Sequence, residues 1–157
     1  MRFQTAVAAL IGVLPSLTFA APELPVIELT AGMHRIEAEV VNTQETRMRG
    51  LMMRQSMPTH RGMLFVFDAD ARHCMWMKNT LLPLDMLFVD EGGCIVKVQE
   101  RARPGSLATI AANVPVVLVM EIAGGQAGDL GIAVGDRISR PEADWPHTVG
   151  SCSPEAR

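Results

Sequence analysis

Over residues 35–41 the chain alternates, with Ile36, Ala38 and Val40 set against Arg35, Glu37 and Glu39. A period of two marks a half-buried strand. Asn42, with Glu45 three residues on, resembles a capping box and predicts a short helix running to about residue 52. Met48, Leu51 and Met52 would share its inner face, with Arg47 beside them. Residues 63–67 are an apolar run closed by Asp68-Ala69-Asp70-Ala71, which predicts a buried strand. Residues 73–78 predict another, with His73, Met75 and Met77 on one face and Cys74, Trp76 and Lys78 on the other. Asn79 to Pro83 then predicts a turn or kink.

Residues 86–89 and 94–98 flank Asp90-Glu91-Gly92-Gly93, a hairpin signal. Residues 101–113 are polar and rich in small side chains, and form the longest expected loop. The most continuous apolar strand spans residues 114–122, with Pro115 near its start, where a missing donor is tolerated. One helical turn is expected over residues 127–130. A closing strand follows over residues 132–138, bent at Gly135-Asp136. Many short strands with few helices predict a mainly β fold. It would be a compact single-domain sandwich or barrel-like sheet with one or two short helices.

The ends differ from this middle. Arg2, the apolar stretch from Ala6 to Leu14, Pro15 and the small residues Thr18 and Ala20 have the layout of a signal peptide over residues 1–20. Cleavage after Ala20 is expected, and the apolar stretch is too short to span a membrane. Residues 21–32 are read as an N-terminal lead-in, 33–140 as the β-rich domain and 141–157 as a flexible tail. The mature protein is therefore expected in a periplasm or secreted, with no membrane attachment once the signal is removed.

Losing Arg2 moves the formal charge from −3 to about −4, which gives no footprint for nucleic acid. Lys78 and Lys97 are the only lysines, so the positive charge is nearly all arginine. Cys74, Cys94 and Cys152 allow one disulfide and leave an odd thiol, and spacing does not choose the pair.

Several ordered motifs are family-like. They are Arg47 with Gly50-Leu51-Met52-Met53-Arg54, Gly62-Met63-Leu64-Phe65-Val66-Phe67, Trp76-Met77-Lys78-Asn79-Thr80, Pro83-Leu84-Asp85, Gly124, Gly131-Ile132 and Gly135-Asp136. Over about residues 33–140 the chain resembles the domain of unknown function 192, a bacterial and archaeal family. The resemblance implies a compact, mostly β domain, often behind an export signal, and implies no established reaction, substrate or cofactor. His73, Cys74, Cys94 and Cys152 stand outside its pattern.

The polar break at Lys78-Asn79-Thr80, ending on Asp85, marks the best candidate site. Arg47 and Arg54 are seven residues apart, about two helical turns, and on one continuous helix would share a face. With Lys78, Asn79 and Asp85 they would form an anion-binding rim, the amide donating and the aspartate orienting the lysine. Each residue also has a structural reading: turn chemistry for Asn79 and Thr80, and ion pairs for Lys78, Asp85 and the arginines. A small anionic or polar ligand, or a protein partner, is the expected occupant.

Two alternatives stand beside this one. Methionines 48, 52, 53, 57, 63, 75, 77 and 86, with His60 and His73, have the donor chemistry of a periplasmic cuprous-copper protein. Methionine also fills irregular cores without a ligand. An enzyme using Lys78 and Asp85 would need a lysine depressed by burial. No nucleophile elbow or zinc motif accompanies them. No catalytic residue, metal ligand or cofactor is assigned.

Overall fold

The computed structural model describes residues 23–140 and Cys152. The expected signal peptide, its expected cleavage site and the rest of the tail lie outside the described residues. Two alternating stretches open the fold as an antiparallel hairpin, β1 (Val26–Ala31) and β2 (His34–Val41). Residues 26–31 are thus a strand where a lead-in was expected. Leu29 and Ala31 point into the core while Val26 and Glu28 stay exposed, the same period of two as in β2.

The helix α1 (Gln44–Arg49) follows. Its capping box is one residue later than the sequence suggests: Thr43 Oγ1 accepts from the Thr46 N–H at 3.2 Å, and Thr46 Oγ1 accepts from the Thr43 N–H at 3.1 Å. The helix stops at Arg49 because Gly50 takes φ 45°, and turns replace the expected second half. The chain then returns as β3 (Arg61–Ala71), parallel to β2.

After β3 come β4 (Cys74–Met75), β5 (Leu84–Val89), β6 (Ile95–Ala102), β7 (Ile110–Ala111), β8 (Val116–Ala123), α2 (Gln126–Leu130) and β9 (Ile138–Ser139). One seven-stranded sheet has the order β6-β5-β8-β3-β2-β1-β9, and β4 pairs only with β7. The strand expected over residues 73–78 is short because its partner is two residues long, and Met77 instead donates its N–H to Ser106. The inward–outward alternation survives: Met75 and Met77 are buried, while Cys74, Trp76 and Lys78 are exposed.

Alternation divides the sheet into two apolar faces. Leu64, Leu87, Val89, Leu118, Met120 and Ile122 pack on one with Ile36, Ile95 and Ile138. Met63, Phe65, Met86, Phe88 and Val119 pack on the other with Leu51, Met75 and Met77. The ends of the sheet approach each other: Ile95 donates to the Asp136 carbonyl at 2.8 Å, and Cys94 bridges Arg137. The result is a mainly β half-barrel with two short helices, its first face inside and its second covered by β4, β7 and the turn after α1. A disulfide joins Cys94 to Cys152, and Cys74 is the free, exposed thiol.

One glycine is dictated by this sheet. A Cβ at Gly62 would sit 2.7 Å from the Glu121 carbonyl oxygen and 3.2 Å from an Ile122 methyl on the neighbouring strand. Gly62→Ala is expected to force β3 and β8 apart and lower the unfolding free energy by about 1–3 kcal/mol. An unchanged denaturant midpoint would show that the strands can yield.

Candidate functional site

The second face is incompletely covered. Between the α1–Met52 segment and the chain from Cys74 to Thr80 lies a cleft of about 270 Å³, with Phe65 and Phe67 in its wall. Trp76 forms part of the opposite wall, 47% exposed. Lys78 Nζ lies 5.2 Å from the centre of that indole, a cation–π contact. Among the described residues Lys78 has no carboxylate partner, and Arg49, also lining the cleft, has none either.

Arg47 borders the same cleft, but its guanidinium is engaged. Nη1 donates to the carbonyls of Asn42 at 2.8 Å and Val66 at 2.7 Å, and Nη2 reaches Asp68 at 3.2 Å. These bonds tie α1 to β3. The expected grouping of five residues therefore separates. Arg47 and Lys78 share the cleft, whereas Arg54, Asn79 and Asp85 do not line it.

Arg54 falls away because the helix ends at Arg49. Its guanidinium grips both oxygens of Glu39, and that hydrogen-bonded contact holds the Glu39 carboxyl below its ordinary range. Asn79 has φ 55°, accepts the Met53 N–H at 2.8 Å through its carbonyl, and directs its side-chain amide towards Met52 Sδ. It is a turn residue tying two loops, as its turn chemistry allows.

Asp85 is fully buried and belongs to the framework. One carboxylate oxygen accepts the Arg101 N–H at 2.7 Å, both accept from Gly125 at 2.9 Å, and the second also accepts from Ala127 at 2.9 Å. It therefore does not orient Lys78, and the two do not form the pair an enzyme reading requires.

The donors of the copper reading divide: three of its methionines line the cleft, three are core side chains, and neither His60 nor His73 lines the cleft. His73 Nε2 is 2.8 Å from the Ala69 carbonyl, and its ring stacks on Phe67 at 3.7 Å between centroids. Met63, Met77 and Met86 are fully buried core side chains, and Met48, Met52 and Met75 line the cleft.

Glu121 is the site residue that sequence reasoning missed. It lies in β8 between Met63 of β3 and Met86 of β5, on a face otherwise built from apolar side chains. The residue is 4% exposed and lines the cleft. No hydrogen bond or ion pair reaches its carboxyl among the described residues. Burial pushes its pKa up from an ordinary 4.5 to about 8. The signal was a single acid inside the most continuous apolar strand, between Met120 and Ile122.

The model of the DUF192 family, described as Uncharacterized ACR, matches residues 26–140. The chain belongs to this family. Of the residues that carry the resemblance, Gly62, Asp85 and Asp136 maintain the DUF192 framework, whereas Arg47, Trp76 and Lys78 border the cleft.

Two solved structures share the fold. One, from Sinorhizobium meliloti 1021 and described as a "putative transcription regulator", is 36% identical with a TM-score of 0.72. The alignment covers 77% of this chain and 98% of that one. The other, a protein of unknown function from Novosphingobium aromaticivorans DSM 12444, is 29% identical with a TM-score of 0.71. Coverage there is 82% of this chain and 99% of that one. No curated protein matches the chain.

Proposed function

We propose that the chain is an exported binding module whose cleft takes a small anionic or polar ligand. The observation that carries this reading is the pair of cations, Lys78 and Arg49, which border a concave apolar wall without a carboxylate partner among the described residues. Lys78 rests against Trp76, so an anion approaching it also meets a flat apolar surface. The cleft volume of about 270 Å³ suits a metabolite-sized molecule. Export is supported by the signal-like N-terminus and by the Cys94–Cys152 disulfide, since such bonds persist in oxidising compartments.

A panel of small carboxylates, phosphates and neutral polar compounds, screened by thermal shift, tests the reading. A ligand at a hundred times its Kd should stabilise the fold by about 2.7 kcal/mol. Lys78→Met should weaken binding of anionic hits about tenfold or more, the scale of one charge-assisted hydrogen bond. No shift from any compound, or equal affinity in Lys78→Met, would remove the cleft as an anion site.

A further inference from the structure

The cleft has an acid in its buried wall and cations along its border. Arg47 is committed to Asn42, Val66 and Asp68, which leaves Lys78 and Arg49 for an incoming anion. Glu121 has no cation to meet among the described residues, and its sheet neighbours are Met63 and Met86. A buried acid of this kind stays neutral until a counter-charge arrives, because an unpaired ion in an apolar wall is costly. Core packing alone does not account for a carboxyl there, since Val119 fills the equivalent inward position two residues earlier with an apolar side chain.

Resting on the binding reading above, we infer that the ligand is an amphoteric amine: its ammonium seats on Glu121, its body packs between Phe65 and Trp76, and its anionic end meets Lys78 and Arg49. The ligand chemistry is that of an amino carboxylate. Binding converts a neutral acid into one half of an ion pair. The ammonium keeps its own proton, and the proton of Glu121 leaves to the solvent. At pH 7 a group with a pKa of about 8 is about nine-tenths protonated, so the complex should release about 0.9 proton. A carboxylate driven to the same depth would instead require Glu121 to hold its proton and would release none.

Calorimetry on the disulfide-bonded chain at pH 7 tests this, in two buffers of different ionisation enthalpy. The probes are a series of ω-amino carboxylates from β-alanine to 6-aminohexanoate, with hexanoate and hexylamine as single-ended controls. At least one amino carboxylate is expected to bind tenfold or more tighter than hexanoate, with release of about 0.9 proton. Glu121→Gln, nearly the same shape, should reduce that affinity to the level of hexanoate and abolish the release. Lys78→Met should weaken the amino carboxylate and hexanoate together. Hexanoate binding as tightly as every amino carboxylate would overturn the ammonium site while leaving the anion-binding reading intact. Binding without proton release would do the same. Failure of all the probes to bind would overturn the amino-carboxylate inference, while the anion-binding reading stands or falls on the wider panel above.

Discussion

Asp85→Ala is expected to lower the unfolding free energy by about 3–5 kcal/mol, the largest loss foreseen for any single side chain here. Three backbone N–H groups, from Arg101, Gly125 and Ala127, end on this one carboxylate. Those of Gly125 and Ala127 would be left buried without an acceptor, at about 1–3 kcal/mol apiece before relaxation, and that of Arg101 partly so. The local architecture explains the dependence. The β5–β6 ladder slips between Leu84 and Met86, and Arg101 in the slipped segment has φ 44°. Its N–H turns to Asp85 instead of a strand carbonyl. At the other end α2 starts on Gly125, which has no side chain to cap the helix, and Asp85 supplies that acceptor from the neighbouring strand.

Asp85→Asn should retain part of this support, because one amide oxygen still accepts while its NH₂ faces donors. For a single domain with about 5–15 kcal/mol of total stability, the alanine change removes a large share. Denaturant unfolding of the two variants reads the difference. A loss below about 1 kcal/mol for Asp85→Ala would contradict a framework role.

Asp85 also shows where sequence reading stopped. Its polar character within an apolar stretch was visible, but its partners lie 16, 40 and 42 residues away, beyond what local pattern reaches. Strand periodicity, by contrast, was legible wherever one face was buried, as in β2 and around Met75 and Met77. The same period was present in β1 and was overlooked beside the signal-like N-terminus. Arg47 and Arg54 were grouped on the assumption of a longer helix. Gly50, already in the motif, is the residue that ends it and sends Arg54 to Glu39. Lys78 was legible as a site residue because an exposed alternation next to a turn needs no long-range partner. Glu121 was hidden for the opposite reason: an acid inside an apolar run becomes informative only when both strand neighbours are known to be apolar.

Glu121→Gln is expected to stabilise the ligand-free protein by about 3 kcal/mol at pH 7 and by almost nothing below pH 4.5. The sign follows from the direction of the shift. In the unfolded chain the carboxyl ionises near 4.5, whereas in the fold burial delays ionisation to about 8. Between those values the unfolded state gains charge that the folded state refuses, so wild-type stability declines as pH rises and levels off above about 8. Glutamine keeps the shape and remains neutral, so the difference between the two proteins should open through that window. Near pH 7 it corresponds to roughly 10 °C in Tm for a domain of this size. The other charged groups lining the cleft are Arg47, Arg49 and Lys78. Gaining stability by deleting a carboxylate would mark Glu121 as a residue kept at a cost to the fold, the usual signature of a binding group. A constant difference between wild type and Glu121→Gln from pH 5 to pH 8 would instead mean that the carboxyl finds water in the cleft and ionises freely, and its claim on a ligand ammonium would weaken with it.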